Sequence, residues 1–236
     1  MDGKPSRTDC SAMSGKMLAA GLALIFDMDG VLVDSNPVHR EAWTAYNRRY
    51  GIETTPAMLE RMYGKRNDDI VRDYFGASLS EEQVTARGAE KEQLYREMIA
   101  GRIEEILVRG IRRFLERYQA IPMALASNAE PRNVSYILDR AGLRKYFRVI
   151  LDGSQIQRPK PDPEIYLRAA ELLGVIPANC LVFEDSPSGV AAALAAGMRV
   201  IGLGTTYGNL PGAGIYADNF ESGDLEVWLA AQISAV

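Results

Sequence analysis

Five short apolar runs, at 22–26, 121–126, 148–151, 180–183 and 199–203, are nearly unbroken rather than alternating with polar residues. A strand with one wet face alternates; a continuous run belongs to a strand covered on both faces. Helical stretches separate most of these runs. The segment 131–141 ends at Gly142, and 188–196 is alanine-rich and stops at Gly197, a left-handed C-cap. Asp162 can cap a helix with Pro163 at its first position, running to Leu173 and Gly174. Strand and helix in this succession predict an α/β fold with a parallel sheet core and helices on both faces.

The interval after the first run breaks the rhythm. From Asn36 to about Arg109 there are helix signals and no convincing strand. Asn36-Pro37 opens one helix, Thr55-Pro56 a second ending near Gly64, and Asn67 caps a third through Phe75-Gly76. Ser80-Glu81-Glu82-Gln83 is a capping box opening a long amphipathic helix to about Ala100. An insertion of this size reads as a helical lid over the sheet's carboxyl edge. The expected division is a catalytic core of 18–35 and 109–236, a helical cap of 36–108, and a disordered tail of 1–17. The apolar stretch 17–26 is too short to span a bilayer and ends at Asp27, so it is not read as a signal peptide.

Charge and cysteine content narrow the function classes. A net charge of −4 without long runs of either sign argues against nucleic acid as the main partner. The two cysteines, Cys10 in the tail and Cys180 in a buried strand, make no disulfide framework and suit a reduced, cytoplasmic setting.

Asp27, Asp29, Ser127, Glu184 and Asp185 all fall where an apolar strand should end. In an open parallel sheet that edge is where ligands bind. Carboxylates gathered there repel one another and call for a cation; oxygen donors with a substrate phosphate suit Mg²⁺. Asp27 and Asp29 are two apart on an extended segment, so both face the same side, and Gly30 turns the backbone away. One carboxylate can then attack phosphorus while the other donates a proton to the leaving oxygen.

Lys160 lies in a segment stiffened by Pro159, Pro161 and Pro163, which suits charge stabilisation of a phosphoryl group. Ser127 is a candidate phosphate holder, against the plainer role of capping a turn. His39, the only histidine, shares a helical face with Trp43, and a place near the lid hinge competes with a site role. Glu184-Asp185-Ser186-Pro187-Ser188-Gly189 is no nucleophile elbow, and there is no P-loop.

The stretches Phe26-Asp27-Met28-Asp29-Gly30-Val31-Leu32, Ser127-Asn128, Lys160-Pro161-Asp162-Pro163 and Phe183-Glu184-Asp185-Ser186-Pro187-Ser188-Gly189 resemble the four motifs of the haloacid dehalogenase superfamily. The similarity is to its β-phosphoglucomutase-like branch, with a cap inserted after the first motif; Asp34-Ser35 and His39 through Ala42-Trp43 fit that branch as well. The resemblance implies a Rossmann-like core and a reaction through an aspartyl-phosphate. Asp27 would be the nucleophile, Asp29 the general acid and then base, and Ser127 and Lys160 the phosphoryl-binding groups, with Asn128 a candidate substrate contact. Mg²⁺ would be held by Asp27, the backbone carbonyl of Asp29, and Asp185, with Glu184 in or near its shell.

The branch holds phosphatases and a sugar-phosphate mutase, and the chain departs from the mutase. Where the mutase carries basic residues around its cap-loop glycine, Tyr63 precedes Gly64 and Asn67 follows it by three; Asn128-Ala129-Glu130 follows Ser127 without a lysine. Lys65 and Arg66 supply positive charge in that loop, and with Asn67 and His39 they are the candidate substrate contacts. The expected function is a Mg²⁺-dependent phosphatase of a small phosphorylated metabolite, a sugar phosphate, acting as a monomer or weak dimer away from membranes. A mutase is the alternative. A phospho-acceptor signalling module would not carry the helical insertion, and a dehalogenase would need no cation.

Overall fold

All five apolar runs are strands in the computed structural model, which describes residues 21–62 and 65–234. In chain order the elements are β1 (Ala23–Phe26), α1 (Asn36–Arg49), α2 (Pro56–Arg61), α3 (Asn67–Phe75), α4 (Glu81–Ile99), α5 (Ile103–Ile106), α6 (Ile111–Arg117), β2 (Met123–Ala126) and α7 (Pro131–Arg140). They continue with β3 (Val149–Leu151), α8 (Glu164–Leu173), β4 (Cys180–Glu184), α9 (Pro187–Ala195), β5 (Arg199–Leu203), β6 (Ile215–Ala217) and α10 (Gly223–Ser234). Expectations placed on residues 1–17, Cys10, Tyr63 and Gly64 fall outside the described residues.

The sheet runs β3-β2-β1-β4-β5-β6 with every pair parallel. This is the doubly wound, Rossmann-like order, whose strand sequence reverses beside β1. Strand parity explains why the runs are continuous. On β1, Leu24 and Phe26 enter one apolar cluster while Ala23 and Ile25 enter the other. On β4, Leu181 and Phe183 join the first and Cys180 and Val182 the second. A one-residue slip would exchange the two sets, so covering both faces pins the register.

Phe26 and Phe183 are direct partners across β1 and β4, with rings stacked at 4.5 Å. Phe114, Phe147 and Phe220 close around Phe26 at 6.2, 5.9 and 6.4 Å. This aromatic plug lies one residue below Asp27 and gives the strand end a rigid base.

Between β1 and β2 the described residues hold six helices and no strand. Trp43, Tyr46, Ile70, Val71, Tyr74, Val84 and Leu94, from α1, α3 and α4, build a third apolar cluster of their own. The Ser80 capping box forms with both of its reciprocal bonds. Asn67 does not cap α3: Arg66 stands in the cap position, and Asn67 is the first helical residue with its amide turned elsewhere. Likewise α8 begins one residue later than expected, at Glu164, with Pro163 in the cap position. Asp162 still acts there, accepting from the Glu164 N–H at 3.0 Å. No described helix is long and apolar enough to cross a membrane.

Phe26→Ala is expected to destabilise the protein by about 3–5 kcal/mol, because a fully buried ring would leave a cavity among four others. Urea unfolding monitored by circular dichroism checks this; a loss below 1 kcal/mol would show that the plug is not what supports the strand end.

Candidate active site

The turn after β1 places two carboxylates on one side and a core residue on the other. Asp27 and Asp29 line the cavity, while Met28 between them is fully buried in the core. The Met28 carbonyl accepts from Leu32 N–H at 2.8 Å, and Gly30 N–H donates to Val33 at 2.7 Å, so the chain folds back at once. Gly30 has φ +77°, and a Cβ there would lie 1.8 Å from Asp185 Oδ2. Backbone freedom and close approach both demand glycine. Ser35 Oγ donates to Asp29 Oδ1 at 2.5 Å and fixes that carboxylate.

Lys160 reaches the same edge from the loop before α8. Its Nζ donates to Asp27 Oδ1 at 2.7 Å, to Glu184 Oε1 at 2.7 Å and to the Ala126 carbonyl at 3.0 Å. Burial alone would lower its pKa, but Asp27 and Glu184 more than reverse that, so the ammonium stays charged. Asp27 is pushed up by burial first and drawn down by Lys160. Glu184 and Asp29 raise it again, to about 7. Asp185 is raised well above the carboxylate range by burial and then by Glu184 and Asp27.

Glu184 is already engaged by the protein. Its Oε1 also accepts from Tyr166 OH at 2.5 Å, while Oε2 accepts from Asp185 N–H, Ser186 N–H and Ser186 Oγ at 3.1, 3.2 and 3.0 Å. On β4 the parity that turns Cys180 and Val182 toward α8 also sends Glu184 there, where Tyr166 waits. A Cβ at Gly189 would lie 1.8 Å from Glu184 Oε1, which explains the glycine of that motif.

Asp27, Glu184 and Asp185 can each offer one carboxylate oxygen, all within 4.8 Å of one another. An all-oxygen, acidic donor set suits a hard divalent cation. One ammonium against three buried carboxylates also leaves negative charge that a cation would neutralise. The donor set fits; because Glu184 is saturated by protein donors, Asp27 and Asp185 are the carboxylates with room for the ion. The side chain of Asp29 is outside this trio.

Ser127, next after β2, lines the cavity, yet its Oγ also accepts from Ala129 N–H at 3.1 Å, so it caps its own turn as well. Asn128 Oδ1 accepts from Lys160 N–H at 3.4 Å, tying the second and third motifs together.

The cavity, of about 440 Å³, extends from this edge to the helical segment. His39 on α1 stacks on Tyr95 at 3.8 Å, with Nδ1 2.8 Å from Lys91 Nζ and Nε2 3.8 Å from Asp29 Oδ1. An ammonium at Lys91 donates to Nδ1, leaving Nε2 as the N–H that faces Asp29. Glu92 accepts from Lys91 at 2.7 Å, Asn67 at 2.6 Å and Asn133 at 2.5 Å. Lys65 and Arg66 line the rim, and Lys65 pairs with Asp73 at 3.7 Å. Apart from Glu184, which is fully buried, the candidate residues thus converge on one cavity from the sheet edge and the helices.

Lys91, Glu92, Asn133, Tyr166 and Thr206 were not singled out from the sequence. Lys91-Glu92 on an amphipathic helix carries the signal of a solvated face, though both are buried. Nothing local marks Thr206 or Tyr166.

Residues 22–197 match the family described as haloacid dehalogenase-like hydrolase. A phosphorylated carbohydrates phosphatase of Thermotoga maritima is 37% identical over 188 residues, 77% of this chain and 84% of the relative. A β-phosphoglucomutase of Bacillus subtilis is 34% identical over 191 residues, 77% of this chain and 83% of the relative. The crystal structure of a β-phosphoglucomutase from Clostridium difficile superposes with TM-score 0.80 and 27% identity, covering 91% of this chain and 98% of that one.

Glu92 also makes a pH prediction. Burial alone would raise its pKa, but Lys91 and the hydrogen bonds donated by Lys91 and Asn67 hold it down to about 2. A depressed carboxylate stabilises the fold above its unfolded pKa of about 4.3 and loses that contribution as pH falls toward 2. Glu92→Gln should therefore be clearly less stable than wild type at pH 7, with the gap closing between about pH 4.5 and 2. Urea unfolding across that range measures it; a gap that does not change with pH would refute the pairing.

Proposed function

The chain belongs to the haloacid dehalogenase-like hydrolases, and we propose that it is a phosphatase hydrolysing a small phosphorylated metabolite, a sugar phosphate. The observation that carries the reading is Asp27 held at the strand end by Lys160, with Asp29 on the same side and Asp185 across the sheet. Asp27 attacks phosphorus and forms an aspartyl-phosphate; Asp29 donates a proton to the departing oxygen and then takes one from water. Asp29 faces the cavity rather than Lys160, so the two carboxylates have separate environments for separate roles.

Lys160, Ser127 and Asn128 hold the phosphoryl oxygens. Glu184 is assigned to holding Lys160, and not to the ion, because its acceptor sites are filled. Asp27, the backbone carbonyl of Asp29, and Asp185 would hold a divalent cation, Mg²⁺ by donor hardness. Bound there, it supplies positive charge against the carboxylates and the phosphoryl oxygens. The helical segment 36–108 is the cap that excludes water from the site.

Hydrolysis is favoured over a mutase by Asn67. At a position where the mutase pattern has a basic residue, this chain places an amide and commits it to Glu92 at 2.6 Å. A mutase must grip a second phosphate; an amide turned into the protein does not.

Incubating the protein with a panel of sugar phosphates and MgCl₂ should release inorganic phosphate, with EDTA or Asp27→Asn reducing release to background. Full activity in Asp27→Asn would refute the mechanism. An isomeric sugar phosphate formed without phosphate release would establish the mutase instead.

A further inference from the structure

The loop after β5 carries two hydroxyls into the site. Gly202 on β5 is level with Glu184 on β4, so the chain beyond Leu203 passes beside Asp185. Gly204 N–H donates to Ala217 at 2.9 Å and anchors the loop to β6. Thr205 Oγ1 donates to the Gly30 carbonyl at 2.5 Å, tying the loop to the turn that carries Asp29. Thr206 Oγ1 donates to Asp185 Oδ2 and accepts from Asn36 Nδ2, the latter at 2.5 Å. A hydroxyl has one hydrogen, so a donation to Asp185 together with acceptance from Asn36 admits a single orientation.

Resting on the cation reading above, we propose that Thr206 is the positioning residue for Asp185 and that Asn36 holds Thr206 in turn. With Oδ2 fixed by the hydroxyl, Oδ1 is the oxygen left for the ion. Groups that orient a ligand carboxylate set metal affinity without touching the metal. Asn36 is also the first residue of α1, the helix that opens the helical segment. The relay therefore links the seating of that segment to the geometry of Asp185, and by reciprocity cation binding favours the seated position.

Titration calorimetry with MgCl₂ tests this, using protein whose melting temperature in EDTA is recorded in parallel. Thr206→Val should weaken Mg²⁺ binding by about tenfold or more, while Thr206→Ser retains wild-type affinity. Thr206→Ala, which removes the hydroxyl without setting a methyl against Asp185, must weaken it likewise. Asn36→Ala should weaken binding by a smaller factor and add nothing in the Thr206→Val background. Wild-type affinity in Thr206→Val and Thr206→Ala overturns the assignment while leaving the cation reading intact. Additive losses overturn the Asn36 link, and a wild-type protein that binds no Mg²⁺ overturns both readings.

Discussion

One ammonium, Lys160, sits between two buried carboxylates, and the rest of the site is arranged around it. Removing charges from water is expensive, and mutual attraction offsets that only when geometry is good and the remaining acceptors are satisfied. Here Lys160 has three acceptors, and Glu184 has a donor for each direction its oxygens face. The loop bearing Lys160, strand parity on β4 and the turn into α9 are each required for that arrangement. The polar cluster is therefore a structural consequence of the sheet as much as an addition to it.

A second polar layer joins the helices to the sheet. Glu92 on α4 meets Asn133 on α7 at 2.5 Å, and Arg96 pairs with Glu130 and reaches Asn133 at 2.6 Å. Near the crossover from β1 the joint is apolar instead, with Val38, Ala42, Tyr95 and Ile99 sharing the main core. An apolar anchor at one end and a polar seam at the other fits the cap role proposed above. Apolar surface is costly to expose to water, whereas hydrogen-bonding groups find partners there.

How much of this was legible in the sequence follows from distance along the chain. The inner strands were readable because burial on both faces leaves continuous apolar runs. β6 was not: Ile215-Tyr216-Ala217 has an exposed tyrosine at its middle, so no apolar run marks it as one marks β3 on the opposite edge. Asp27 and Asp29 announce themselves because their relation is local. Lys91 meets His39 across 52 residues, and Thr206 meets Asn36 across 170, so no window of sequence contains either pair. Asn67 shows the opposite failure. A cap-forming residue at the right spacing was diverted by a buried carboxylate that its own helix does not supply.

Charge accounting over the cavity bears on what it accepts. At the sheet edge Asp27, Asp29, Glu184 and Asp185 outnumber the one ammonium, so a phosphate dianion can approach only where further positive charge is present. Toward the helices Lys91 is spent on Glu92, while Lys65 shares Asp73 with Arg61. Among the described residues Arg66 lines the cavity without an ion-pair partner. Lys65 and Arg66 thus bring positive charge to the helical wall, with Asp68 in the same lining to offset part of it. With Asn67 committed to Glu92, that wall offers a second phosphate only two exposed cations among the described residues, which favours the hydrolysis proposed above over transfer to a sugar hydroxyl.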